Sequence, residues 1–266
     1  MYAHETGHAS LRDCVSEEER KQRFGVVLVN IVIWALIVVA IAASMGTVLL
    51  FAIPGWLIAQ LLAEYNVRKL QAIGATVSAS QLPVVHQAAL DVTALFGLKV
   101  SPRVIVLGSG ESNALSLRIA RKRVVIILSE LLEGIVDEPE QLRFLLAHEI
   151  CHSVLDHGAR GYFEIYMPAR YKAARELTCD NAGVVAAGDP EAGVAVITKL
   201  CVGYRLHSRV SEAGLKEESE QIYSGFSGWL LRRHLTHPPA GARLAHIRNF
   251  AARRLPKQKL ATHAAD

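Results

Sequence analysis

Paired cysteines, internal repeats, low-complexity blocks and a dominant charge of either sign are all missing from this 266-residue sequence. Cys14, Cys151, Cys179 and Cys201 show no C-x-x-C spacing. That argues against a thiolate zinc cage or a redox dithiol and suits a reducing compartment. The net charge is only +4, and its most visible basic cluster is RNFAARRLPKQK at 248–259, read as a solvated polar tail. Basic residues are not interleaved with aromatics, so nothing points to nucleic acid as a partner.

Charge is also missing locally: residues 24–63 contain no Asp, Glu, Lys or Arg. One helix needs about 20 residues to cross a bilayer, so this run holds two, expected at 24–43 and 47–64 around the weakly apolar SMGT. Pro54 and Gly55 fall inside the second, where a kink is tolerated in lipid. Arg12, Arg20, Lys21 and Arg23 precede the pair and Arg68 and Lys69 follow it, which predicts a hairpin in a cytoplasmic or inner membrane with both flanks, and the long segment after it, cytoplasmic. A competing reading makes AIAAS at 40–44 a leader cleavage site and puts the remainder outside, but it requires a long n-region containing Glu17, Glu18 and Glu19. The expected organisation is a tail at 1–23, a transmembrane hairpin at 24–65, a domain at 66–255 and a polar tail at 256–266.

Beyond the hairpin, LPVVHQAALDVTALFGL predicts a helix over 82–98 closed by Gly97, with His86 a solvated side chain. RVIVL at 103–107 reads as a strand. NALSLRI at 113–119 alternates and VVIIL at 124–128 is continuously apolar, so they form a hairpin with an exposed edge and a buried member. Asp137, Pro139 and Glu140 start a helix running to Gly158; further helices are expected at 169–187, ended by Gly188, and from Asp189–Pro190 to about 207, then a loop or lid at 208–228.

The His-Glu-x-x-His pattern of zinc peptidases occurs twice, as HETGH at 4–8 and HEICH at 148–152. Two imidazoles four residues apart converge on one ion only if a helix holds them on one face. HEICH sits in the third turn of a capped amphipathic helix. HETGH has no apolar face beside it and carries Thr and Gly, so it reads as a solvated tail. Catalytic zinc takes three protein ligands, and RELTCDNAG supplies Glu176 and Asp180 on one face of the next helix; a solvated acidic face is the bland alternative. THPPAGARL places His237 before two stiffening prolines, with Arg243 six residues on; unaided, a simple helix entry after a loop is the preferred reading.

The ordered set resembles the M48 peptidases, the group of the HtpX and CAAX-prenyl proteases: membrane hairpin, strand hairpin with Asn-Ala, HExxH, ExxxD on the following helix, and a late HPx-Arg. The resemblance spans about 82–250 and the membrane hairpin is most like the HtpX branch. It implies an α+β, mainly helical zincin-like (gluzincin) domain with a small antiparallel sheet, and one Zn²⁺ per chain. His148, His152 and Glu176 would be ligands, Glu149 the general base, Asp180 and Arg243 their supports, and His237 a neighbour of the scissile carbonyl. Asn113, Ala114, Leu115 and Ser116 match the edge strand along which an extended polypeptide substrate lies. Cys151 stands where Gly is common, and Thr178-Cys179 replaces x-Ala; neither removes a ligand. The function implied is a membrane-anchored zinc endopeptidase acting in protein quality control. The rival is a membrane-tethered zinc scaffold or holdase.

Overall fold

The computed structural model of the chain describes residues 9–119, 122–155 and 165–263. HETGH and Gly158 lie outside the described residues. A short 3-10 helix, Leu11–Cys14, leads into α1, Glu17–Ala43. α1 starts before the apolar run does, because Ser16 caps it by accepting from Glu19 N, and Glu17, Glu18 and Glu19 favour the positive end of the helix dipole. A turn at Met45 and Gly46, both with positive φ, reverses the chain into α2, Leu49–Ile73, which contains Pro54 and continues past the expected 64. Both helices are long and apolar enough to cross a membrane, and only 11% and 6% of their most hydrophobic windows are buried. They are therefore not core helices, and their exposed apolar surface fits membrane association.

The sheet contains β1, Ala75–Thr76; β2, Arg103–Leu107; β3, Ala114–Ile119; and β4, Lys122–Leu128, in the order β1-β2-β4-β3. β3 and β4 pair antiparallel, as the hairpin pattern predicts, but β2 and β4 are parallel, so the sheet is mixed and not purely antiparallel. The continuous apolar run of β4 belongs in the middle, buried on both faces, and it lies there between β2 and β3. Val125 and Ile127 face the main core. Val124 and Ile126 face the other way, joining Ile105 under Val67 and Leu70 of α2.

α3, Pro83–Leu95, is followed after the sheet by α4, Ser129–Glu133, and then by α5, Pro139–Leu155; α6 spans Ala169–Ala187 and α7 Pro190–Val202. Gly188, at φ 69, ends α6, and Gly203, at φ 81, stops α7 short of the expected 207. Residues 208–228 are not simply a loop: they include the whole of α8, Glu212–Ile222, capped by Ser211, and the start of α9, Gly225–His234. The expected polar tail instead prolongs α10, Ala240–His263.

α5 runs through the centre, with residues 144–151 all buried, and packs most extensively on α6. The close approach depends on two glycines. A Cβ at Gly183 of α6 or at Gly193 of α7 would come within 2.6 Å of the Phe144 ring, itself 0% exposed. Phe144 is thus wedged between three helices one turn before His148.

Candidate metal centre

α5 presents His148 and His152 on the face that meets α6, and α6 presents Glu176 and Asp180 in return. The Nε2 atoms of the two histidines are 3.1 Å apart. His152 Nε2 lies 3.1 Å from Glu176 Oε1 and His148 Nε2 3.5 Å from Glu176 Oε2. One ligating atom from each of His148, His152 and Glu176 falls within 4.8 Å of the others, which makes a group able to hold a metal ion. His237, just after α9, brings Nδ1 to 3.2 Å from Glu176 Oε2 with its side chain 68% exposed, so it forms the solvent-side wall of the cluster.

Behind the cluster, Arg243 of α10 grips Asp180 through two hydrogen bonds, Nε to Oδ2 at 2.9 Å and NH2 to Oδ1 at 2.6 Å. Asp180 Oδ1 is also 3.0 Å from His148 Nδ1, but off the line of a hydrogen bond, which leaves that nitrogen without an aligned partner.

The charges follow from this geometry. Burial opposes protonation of His148, yet Asp180 and Glu176 outweigh it and raise its pKa to about 9. His152 likewise is raised to about 10 against its burial, by Cys179 and Glu176. Burial would push Glu176 up, but His148, His152 and His237 hold it well below the carboxylate range, and Asp180 is held at about 2, against its own burial, chiefly by Arg243. The acids thus draw a proton onto the histidine pair, whose Nε2 atoms at 3.1 Å admit one between them, where a cation would stand.

Glu149 is buried beside His148. Cys151 is buried against Cys179, and burial pushes both thiols up. Asn113, Ala114, Leu115 and Ser116 lie along the outer edge of the sheet, where β3 contacts α5; the Asn113 side chain accepts from Ala114 N.

Sequence reasoning missed what stands behind α6. Ser16 N donates to Thr178 Oγ1 at 2.9 Å, Thr178 Oγ1 donates to Glu19 Oε2 at 2.5 Å, and Asn181 Nδ2 donates to Cys14 O at 2.8 Å. Asn30, inside α1, exchanges two hydrogen bonds of 2.9 Å with the backbone of Tyr166. The first apolar helix is therefore bonded to the helix that carries Glu176. Thr178 stood out only as a departure from the family pattern, and nothing local in Glu19 or Asn30 signals a partner more than a hundred residues away.

Two histidines and a glutamate on packed helices beside a small mixed sheet are compatible with a metallopeptidase domain. Residues 79–169 match the model of peptidase family M48, a stretch that includes HEICH and ends before Glu176. Over that stretch the chain is similar to the M48 peptidases. It is similar to the plastoglobule-localized metallopeptidase 48, chloroplastic, of Arabidopsis thaliana, with 27% identity over 234 residues, 73% of this chain and 66% of that protein. The chain thus matches just under two thirds of the length of this curated relative. No solved structure matches.

Proposed function

We propose that the chain is a membrane-anchored zinc endopeptidase whose reaction centre is the cluster of His148, His152 and Glu176. The observation that carries the reading is the convergence of these three donors, two imidazole nitrogens and a carboxylate, within 4.8 Å. That set suits Zn²⁺, with a position left for water. When bound, the ion would supply Lewis acidity, polarising a substrate carbonyl and acidifying a water.

The protein's own groups do the rest. Glu149 takes the proton of the attacking water and later passes it to the leaving amine. His237, at the solvent side, donates to the oxygen that gains charge. Asp180 orients His148 through Nδ1, and Arg243 keeps Asp180 ionised and in place. An extended polypeptide pairs with β3 through its backbone, which gives broad sequence tolerance and suits unfolded or membrane proteins in quality control. Residues 24–65 form the hairpin in a cytoplasmic or inner membrane, and 66–255 the peptidase domain on the cytoplasmic side.

The test compares zinc-loaded wild type with Glu149→Gln in detergent, using an unfolded polypeptide. The variant should retain wild-type zinc and lose cleavage by at least about a hundredfold, the scale of a general base. Unchanged cleavage would refute the assignment.

A further inference from the structure

α9 buries almost none of itself. Of its ten residues only Gly228 is buried, where a Cβ would strike the backbone of Ile222 and Tyr223 at the end of α8. Phe226 is 77% and Trp229 43% exposed, and Leu230, Leu231 and the preceding Ile222 are exposed as well. A short helix that leaves Phe, Trp and Leu in water needs a further surface to cover them. The rings of Phe226 and Trp229 stack at 5.6 Å, Arg233 lies 4.0 Å above Trp229 and Arg232 lies 5.2 Å from the Tyr223 ring centre. No acidic residue occurs between Glu220 and Arg243.

The position of α9 adds a constraint. α1 lies antiparallel along α6: Ser16 bonds to Ala174 and Thr178, whereas Asn30, deeper in the apolar helix, bonds to Tyr166. The N-terminal end of α6 therefore faces the bilayer, and Ile165 and Tyr166 are exposed there. α9 packs on this same α6, and three residues after α9 ends His237 reaches Glu176.

We propose that α9 is a second membrane contact, an interfacial helix that sets Phe226, Trp229 and Leu230 into the acyl boundary of an anionic bilayer with Arg232 and Arg233 at the headgroups. Aromatic and leucine side chains beside arginines, with no acid among them, match an anionic lipid surface better than a neutral or cationic protein face. Trp and Arg both favour the headgroup level. The consequence is that the metal centre opens close to the membrane surface, and that lipid contact fixes the short segment carrying His237.

The inference rests on the hairpin entering lipid, so the test monitors both contacts. The full chain with Cys201→Ser and Ser227→Cys, the other cysteines being buried, carries an environment-sensitive fluorophore at position 227 in phosphatidylcholine nanodiscs with or without phosphatidylglycerol; a parallel chain carries it at Leu50→Cys in the hairpin. The label at 227 should shift to the blue and be quenched by doxyl lipids when phosphatidylglycerol is present. R232E with R233E should abolish that change while the label at 50 stays quenched. A label at 227 that remains in water in both lipids, with the one at 50 quenched, overturns the proposal. So does protection that appears only on adding an unfolded polypeptide, which would assign the face to substrate, or protection already present in detergent together with a dimer mass, which would assign it to a second copy. A label at 50 that is not quenched would remove the membrane anchor itself, and this inference with it.

Discussion

Replacing Asp180 with Asn removes a single negative charge and leaves the shape of α6 intact, which makes it a sharp probe of the centre. Asp180 is 0% exposed and holds both hydrogen bonds of the buried Arg243, at 2.9 and 2.6 Å. An amide can accept only one of them, and the guanidinium is left without its counter-charge. Breaking a buried pair in this way costs roughly 3–5 kcal/mol. We expect a loss of about 3 kcal/mol in urea unfolding of the metal-free protein at neutral pH, because Glu176 remains 3.7 Å from Arg243 and compensates in part. Zinc affinity, read by chelator competition, should fall about 10- to 100-fold as His148 loses its orienting acid. The acid limb gives the sign. Asp180 is depressed from 3.8 to about 2 in the fold, so its contribution is full above pH 3.8 and is lost as pH falls towards 2. The difference between wild type and Asp180→Asn should therefore shrink over that interval. A difference that stays constant down to pH 2, or a variant as stable as wild type at neutral pH, would refute the charge-pairing account.

Other outcomes follow from packing and proton balance. Gly183→Ala should lower stability by about 1–2 kcal/mol, the overpacking of the immobile Phe144 ring exceeding the gain in helix propensity, as a lowered thermal midpoint would report. The acids raise His148 and His152, and the 3.1 Å between their Nε2 atoms admits one proton there, so zinc uptake should release about one proton at neutral pH and strengthen as pH rises. The same shifts stabilise the metal-free fold fully below pH 6.5 and fade as pH rises through 9 to 10. Calorimetry in buffers of different ionisation enthalpy measures the release, and zero protons at pH 7 would contradict it. Ser116→Pro on β3, a position whose N–H faces the free edge and not β4, should reduce polypeptide turnover and leave zinc content unchanged; equal turnover would dismiss backbone pairing at this edge.

What was legible in the sequence was what local chemistry controls. Residues 169–187 appear as a helix because Gly188 supplies the left-handed stop and Asp189–Pro190 the next start, and β2 appears because a β-branched run lies between Pro102 and glycines. Spacing placed His148 and His152 on one face, and composition separated the two apolar helices. Three things were hidden. The parallel β2–β4 pairing depends on which strand must be buried on both faces, a property of the assembled sheet. Residues 208–228 read as loop or lid because α8 is mostly polar and α9 has glycines and an apolar face that nothing among the described residues covers. The clamp from Ser16, Glu19 and Asn30 onto Tyr166, Ala174 and Thr178 joins positions 136 to 162 residues apart, and no periodicity records it.

The two His-Glu-x-x-His strings leave one decisive measurement: zinc per chain, by atomic emission on detergent-purified protein, for wild type, for His4→Ala with His8→Ala, and for Glu176→Gln. The account predicts one zinc in the first two and a binding weakened at least about tenfold in the third. Loss of zinc from the His4/His8 variant, or wild-type affinity in Glu176→Gln, would contradict the assignment of the centre to His148, His152 and Glu176.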